Sequence, residues 1–227
     1  FAASANCILY CDGTPVFADI NPDTWNIDPK DIERKITKKT KAVIAVDFTG
    51  QAAELDEIKA ICNKYNLILI EDAAHSIGTK YKGIPVGNIA DLTTFSFHPV
   101  KTITCGEGGA ILTNNEEYYK KMLLFRSHGI TREPDLLTHT PFNGYNEQIG
   151  LGYNYRLTDV QAALGVSQLK KIDAFSRRRK EIVKQYDEAF SSIPQLTIQK
   201  VISESNTTRH LYIIRIKPDT LKLDRDG

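Results

Sequence analysis

Short apolar runs alternate with amphipathic segments in the first half of the chain. AVIAVDF (42–48) and NLILIED (66–72) are rich in β-branched and other apolar residues, which is typical of buried strands. The segment between them, LDEIKAICNKYN (55–66), has the period of a helix. Its apolar face comprises Leu55, Ile58, Ile61, Cys62 and Tyr65. A strand–helix–strand order with buried strands indicates an α/β domain with a mainly parallel sheet.

The same alternation extends through the rest of the chain, with one long irregular stretch at 130–152. Asn114 and Gly129 are suitable residues to begin and end a helix, and Thr158 with Gln161 forms a capping-box pattern. We expect further strands at 92–97, 109–113, 196–201 and 210–216, and helices at 114–129 and 159–190. The first residue is Phe1, and the sequence begins as if already inside a strand.

Composition and charge restrict the possible partners. Hydrophobic residues make up 41% of the chain and charged residues 25%, as in ordinary globular proteins. The net charge of +1 gives no electrostatic reason to expect nucleic acid or an anionic membrane as a partner. No apolar run approaches the roughly 18 residues of a membrane span. The four cysteines show no CxxC pair and no clustering with histidine, so we expect a reduced, cytoplasmic protein without a metal site.

Three candidate site residues follow predicted strands. Asp72 ends one strand, Ser96 ends the next, and Lys101 lies in the glycine-rich loop beyond Ser96. Ligands of open parallel sheets bind beyond the carboxyl ends of the strands. One interpretation is an ordinary ion pair at the sheet edge. The other is a pyridoxal phosphate (PLP) site, because that cofactor needs a lysine amine and an acidic partner for its pyridine nitrogen.

Three longer motifs favour the second interpretation. They are IEDAAHSIGTKYKG (70–83), FSFHPVKTITCGEGGAILTN (95–114) and GYNYRLTDVQAALGVSQLKK (152–171). Together and in this order they resemble the DegT/StrS sugar-nucleotide aminotransferases, which are PLP enzymes of fold type I. The resemblance covers nearly the whole chain. It implies a three-layer α/β/α domain with a mainly parallel sheet, followed by part of a smaller α+β domain.

The resemblance also implies a domain organisation. Residues 1–175 correspond to the large PLP-binding domain without its N-terminal part, residues 176–190 to a connecting helix, and residues 191–227 to the start of the small domain. We therefore expect a fragment that is truncated at both ends.

The resemblance implies a role for each residue that matches a family motif. Lys101 matches the catalytic Schiff-base lysine and Asp72 the partner of the pyridine nitrogen. The other cofactor positions are His75 near the 3′-oxygen, Ser96 at the phosphate, Asn154 reaching the phosphate across a homodimer interface, and Phe1 stacking on the pyridine ring. Near the motifs, His98, His128, Arg126 and Arg156 are candidates for contact with substrate or phosphate.

The residue at position 101 favours transamination, since relatives that dehydrate sugars carry histidine there. The implied donor is L-glutamate, which leaves as 2-oxoglutarate while the cofactor becomes pyridoxamine phosphate. The implied acceptor is a UDP-linked 4-keto-6-deoxy-N-acetyl-hexosamine of pseudaminic acid synthesis, to which FSFHPVK and FRSHGI are most similar. The KTITCGEGG motif also fits a UDP-4-keto-arabinose aminotransferase of lipid A modification.

Two other classes of protein share this pattern. A non-catalytic paralogue could retain the fold, although the intact Lys101 and Asp72 argue against it. A nucleotide-dependent oxidoreductase would need a GxGxxG motif after its first strand, and the sequence has none.

Overall fold

The computed structural model describes residues 1–139, 142–217 and 220. Its helices are α1 (Ala2–Tyr10), α2 (Pro29–Lys35), α3 (Leu55–Tyr65), α4 (Glu116–Arg126), α5 (Asp159–Leu169) and α6 (Ile172–Phe190). Its strands are β1 (Ala42–Val46), β2 (Ile68–Asp72), β3 (Lys80–Tyr81), β4 (Ile84–Pro85), β5 (Leu92–Ser96), β6 (Gly109–Leu112), β7 (Ile130–Thr131), β8 (Glu147–Gln148), β9 (Leu196–Ile198), β10 (Ser205–Asn206) and β11 (Ile214–Ile216). The fold is α/β, as predicted.

The main sheet has the strand order β1-β2-β5-β6. β1 pairs with β2 in parallel, and β2 pairs with β5 in parallel, while β6 returns antiparallel to β5. The prediction of a mainly parallel sheet is confirmed. The alternating burial of β1 and β2 shows that both strands place one set of side chains in the core.

The amphipathic helix α3 covers this sheet. Leu55, Ile58, Ile61 and Cys62 are buried as the helical period predicted, whereas Tyr65 is 39% exposed at the end of the helix. Asn66 ends α3 in a left-handed conformation (φ 53°), which asparagine tolerates better than most residues. The strand predicted from residue 66 therefore begins at Ile68.

The N-terminal segment is a helix, and the expectation that the chain begins inside a strand was wrong. The segment AASANCILY forms α1, and its alanines favour helix over strand. Farther along, Asn115 and not Asn114 caps α4, because its side chain accepts a hydrogen bond from the Tyr118 amide (3.1 Å). α4 ends at Arg126, before Gly129.

The single helix predicted for 159–190 is two helices. The capping box of Thr158 and Gln161 is present and begins α5. At the junction, the Lys171 amide bonds to the Gln168 carbonyl three residues back (2.9 Å), so the α-helical ladder is interrupted. The break lies directly before Ile172, whose side chain packs over Gly78.

Hydrogen bonds from a loop connect the last part of the chain to the segment that follows β1. β9 and β11 form an antiparallel pair, but the strand predicted from residue 210 begins only at Ile214. Residues 207–211 are instead bonded to the segment after β1, where the Leu211 amide donates to Thr49 O (3.2 Å). The stretch at 130–152 carries the short β7–β8 pair, and residues 140–141 lie outside the described residues.

No helix in the described ranges has both the length and the apolar character that a membrane crossing requires.

Candidate active site

The carboxyl-terminal ends of β1, β2 and β5 lie side by side at one edge of the main sheet. In the parallel pairings, Val46 lies opposite Asp72, and Asp72 lies opposite Thr94. Asp72 is the last residue of β2, and Ser96 is the last residue of β5. The prediction that Asp72 and Ser96 share one edge of a parallel sheet is therefore confirmed.

Hydrogen bonds orient the Asp72 carboxylate. One oxygen accepts from the Ser4 hydroxyl (2.6 Å) and the other from the Ala74 amide (3.2 Å). The first bond joins helix α1 to the sheet edge. Ser4 was not singled out from the sequence, because no local pattern relates a serine in a helix to a strand end far along the chain.

Lys101 lies in a loop that is closed by backbone hydrogen bonds. Its amide donates to His98 O (2.9 Å), and the Phe97 amide donates to Gly108 O at the base of the loop (2.8 Å). Gly108 has φ 142° and lies so close to Leu157 that a β-carbon there would approach Leu157 Cδ1 to 2.8 Å. A glycine is thus required where the loop meets the segment before α5.

The charges of Asp72 and Lys101 both act on His75. Burial is the main cause that lowers its pKa to about 4, the charge of Lys101 lowers it further, and the charge of Asp72 opposes the shift. His75 is therefore neutral at pH 7. Its Nδ1 atom is buried and has no hydrogen-bond partner in the described part of the chain. Such an atom is costly to leave unpaired, so it is a natural contact for a bound group.

A second histidine, His210, lies against the first. The two rings have centroids 4.7 Å apart, inclined by 39°. Burial, followed by the charges of His75, Lys101 and Arg179, lowers the pKa of His210 to about 4. Its Nδ1 is also buried and unpaired among the described residues. We therefore add His210 to the candidate site.

Gly50 explains how His75 and His210 come together. Its φ is 98°, and a β-carbon there would lie 2.9 Å from His75 O and 3.0 Å from the His210 amide. Its carbonyl accepts hydrogen bonds from Thr79 (2.8 Å) and Thr207 (2.6 Å). These contacts join segments that are distant in sequence. The two threonines shortly before His210 are the only local sequence feature that could have suggested them.

The remaining predicted residues near the Lys101 loop are more exposed. Ser96 Oγ accepts a long hydrogen bond from the His98 amide (3.4 Å). His98 Nε2 lies 3.7 Å from a Glu107 carboxylate oxygen. Phe1 precedes α1 and is 97% exposed, and its predicted stacking on the pyridine ring stays a prediction.

Asn154, His128, Arg126 and Arg156 lie around the turn that follows α4. Asn154 bridges to Ser127, and the His128 amide donates to Tyr153 O (2.8 Å). Arg126 O accepts from the Tyr155 amide (3.0 Å), which places Arg156 beside the same turn. Within the described ranges, no hydrogen bond or ion pair joins this group to Asp72 or Lys101. Their predicted contacts with phosphate or substrate stay predictions.

A buried pair of acidic residues lies beneath this edge. Asp47 and Glu71 are both fully buried. Burial, and then the charge of Glu71, raises the pKa of Asp47, and burial also raises the pKa of Glu71. Asp47 accepts from the Ser76 hydroxyl (2.5 Å), so the pair supports the segment that carries His75. Elsewhere in the described structure, no group of three or more histidine, cysteine or acidic side chains could hold a metal ion.

The parallel strand ends with Asp72 beside the loop that carries Lys101 are consistent with the PLP site that the sequence motifs imply. The chain belongs to the DegT/DnrJ/EryC1/StrS aminotransferase family, whose sequence profile matches residues 1–226.

Similar proteins support this assignment. The chain is 43% identical over 222 residues to a UDP-4-amino-4,6-dideoxy-N-acetyl-beta-L-altrosamine transaminase of Campylobacter jejuni, covering 96% of this chain and 57% of that protein. Among solved structures, it is similar to PseC of Helicobacter pylori, an aminotransferase involved in the biosynthesis of pseudoaminic acid. That match has a TM-score of 0.89 and 36% identity, and covers 96% of this chain and 57% of PseC.

A third similar structure is the PLP form of the protein Spr1654 from Streptococcus pneumoniae. It matches with a TM-score of 0.84 and 31% identity, over 96% of this chain and 58% of that one. The chain thus spans somewhat more than half the length of the relatives it matches.

Proposed function

We propose that the whole protein is a PLP-dependent aminotransferase that moves an amino group from L-glutamate to the C4 keto group of a UDP-linked 4-keto-6-deoxy-hexosamine. One observation carries the proposal: β2 and β5 pair in parallel, so Asp72 at the end of β2 and the Lys101 loop after β5 extend from the same carboxyl edge of the sheet. A carboxylate and an amine at this edge are the groups that PLP requires.

The residues present fit this cofactor. Asp72 would bind the pyridine nitrogen, Lys101 the aldehyde and Ser96 the phosphate. Asn154 would reach the phosphate bound by a second copy of the chain, and Phe1 would stack on the ring face. His75 offers a buried Nδ1 without a partner. When bound, PLP accepts the electron pair that is released as a substrate C–H bond breaks.

The chain's own groups would move and direct the protons. Lys101 Nζ would carry the proton from the Cα of the donor to the bound cofactor, and in the second half of the cycle from the cofactor to C4 of the acceptor sugar. Asp72 is already oriented by Ser4 and Ala74 and needs no reorganisation. The neutral His75 and His210 would contact the bound molecules without adding charge beside Lys101.

The substrate assignment rests on the sequence motifs and on the names of similar proteins. Relatives from Campylobacter jejuni and Helicobacter pylori, 43% and 39% identical, carry the altrosamine transaminase name. A spore coat polysaccharide biosynthesis protein of Bacillus subtilis is 39% identical, which supports a role in surface polysaccharide. A UDP-4-keto-arabinose acceptor and a non-catalytic paralogue are the alternatives.

We further propose a homodimer with shared sites. Four apolar side chains around the GYNYR turn and α5 are largely open to solvent: Leu151 (77%), Tyr155 (71%), Val160 (82%) and Leu164 (41%). A surface of this kind is typical of an interface, and Asn154 lies within it. We place the enzyme in the cytoplasm, since its four cysteines are free. The domain division at 1–175, 176–190 and 191–227 belongs to the same proposal.

The test is a two-substrate assay with the full-length protein. Glutamate and the UDP-linked 4-keto-6-deoxy-N-acetyl-hexosamine should yield 2-oxoglutarate and the 4-amino sugar in equal amounts. UDP-4-keto-arabinose as the preferred acceptor would support the alternative enzyme. No turnover with either acceptor, by a protein that carries PLP, would contradict the proposal.

A further inference from the structure

A small cleft lies between the Lys101 loop and helix α6. It is lined by Thr102, Phe175, Arg178 and Arg179 and has a volume of about 290 Å³. Thr102 directly follows Lys101 in the chain. The cleft therefore adjoins the candidate catalytic lysine, yet none of the residues that line it belongs to the cofactor positions described above.

Thr102 gives this cleft a hydrogen-bonding group that lacks a partner. The residue is only 4% exposed, and its hydroxyl is buried without a hydrogen bond among the described residues. Buried hydroxyls in folded proteins are nearly always paired, so the unpaired one indicates that a bound group completes it. A ligand oxygen would supply the missing partner.

The opposite wall of the cleft is cationic. Arg178 pairs with Glu181 on the same helix (2.9 Å), whereas Arg179 is half-buried and forms no ion pair in the described part of the chain. Arg179 is close enough for its charge to act on His210, and Lys101 acts on the same histidine. Because a guanidinium presents paired donors in one plane, it suits a carboxylate better than a single-point anion.

We propose that this cleft binds a carboxylate of the amino donor, with Arg179 and Thr102 as the residues that hold it. The inference rests on the proposed function, since it assigns a subsite of the same reaction. A cleft of about 290 Å³ has room for a five-carbon dicarboxylic acid. Phe175 provides an apolar wall for the methylene groups of such an acid.

The test measures binding directly, with glutarate as an unreactive dicarboxylate. Full-length, cofactor-loaded protein is titrated calorimetrically with glutarate and, separately, with UDP and inorganic phosphate. Arg179→Gln removes the guanidinium, and Arg177→Gln on the same helix is the matched control, because Arg177 is exposed and does not line the cleft. Thr102→Val removes only the unpaired hydroxyl.

We expect Arg179→Gln to weaken glutarate binding and raise the KM for glutamate by about tenfold or more, with UDP binding unchanged. Thr102→Val should weaken glutarate binding while the thermal midpoint stays equal or rises, since an unpaired buried hydroxyl is removed. Arg177→Gln should bind glutarate like the wild type. If Arg179→Gln does not fold, Arg179→Lys and Thr102→Val decide the question.

Unchanged glutarate binding by both cleft variants would overturn the inference. So would loss of UDP or phosphate binding in place of glutarate binding, since the cleft would then hold phosphate groups. These results differ from failure of the proposed function, which would show as a wild-type protein that carries no cofactor and does not react with glutamate.

Discussion

The imidazole rings of His75 and His210 lie with centroids 4.7 Å apart and an inclination of 39°, and both are neutral at pH 7, His75 despite the opposing charge of Asp72. Burial lowers the pKa of each ring to about 4 from an ordinary value of 6.5. The unfolded chain therefore binds protons between pH 6.5 and pH 4 that the folded chain does not. The histidine contribution to stability is complete above pH 6.5 and is lost as the pH falls toward 4.

His210→Asn should reduce this dependence on pH. We expect urea denaturation of the variant to show a shallower loss of unfolding free energy between pH 7 and pH 5, by at most about one proton taken up per chain. His139→Asn is the matched control, because His139 is exposed, and its pH profile should follow the wild type. A His210→Asn profile as steep as that of the wild type would show that His210 takes up its proton in the folded chain as it does in the unfolded chain.

Gly50→Ala should disturb the His75–His210 pair by steric contact. A β-carbon at this position has φ 98° and meets backbone atoms at 2.9 and 3.0 Å, so both strain and overlap oppose it. We expect a loss of about 2–4 kcal/mol in unfolding free energy, measured by urea denaturation.

The variant Gly83→Ala separates backbone strain from steric overlap. Gly83 has φ 81°, but a β-carbon there meets nothing within 4 Å, so only the backbone strain of about 1–2 kcal/mol should appear. Equal losses for the two variants would mean that the close approach at Gly50 does not contribute.

Glu71→Gln should retain the stability of the buried acidic pair. Thr93 donates to one Glu71 carboxylate oxygen (2.7 Å), and the glutamine amide retains an acceptor there. The unfolding free energy should stay within about 1 kcal/mol of the wild type, whereas Glu71→Ala should lose about 2–5 kcal/mol, because it leaves a cavity and an unpaired Thr93 hydroxyl.

The pH dependence of this pair has the opposite sign to that of the histidines. Burial raises the pKa of Glu71, and burial with the Glu71 charge raises that of Asp47. The contribution of the pair is therefore present at low pH and is lost as the pH rises through the folded-state pKa values. Glu71→Gln should flatten the fall in unfolding free energy as the pH rises above the ordinary carboxyl pKa values of 3.8 and 4.5. A Glu71→Gln loss equal to that of Glu71→Ala would contradict this account.

The sequence predicted the parts of the fold that depend on local periodicity. The strands ending at Asp72 and Ser96 and the buried face of α3 follow from apolar spacing, which each segment carries by itself. The break between α5 and α6 could not be predicted in this way, because Lys170 and Lys171 are good helix formers. The break depends on a tertiary contact, since it directs Ile172 onto Gly78.

The candidate site could be predicted from the sequence to about the same extent as the fold. Asp72 and Lys101 lie where strand ends and motifs placed them, whereas Ser4, Gly50 and His210 reach the site through contacts between segments distant in sequence. The roles of Phe1 and Asn154 stay predictions, because the groups that they would contact, a bound cofactor and a second copy of the chain, are not part of the structure.

The most direct test of the central claim is mass spectrometry of the full-length protein after borohydride reduction. Reduction makes a covalent bond between lysine and PLP permanent, so the account predicts a phosphopyridoxyl mass on Lys101. Glutamate added before reduction should abolish the adduct, and Lys101→Ala should never form one, while Lys38→Ala should form it normally. An adduct on another lysine, or no adduct after incubation with PLP, would contradict the account.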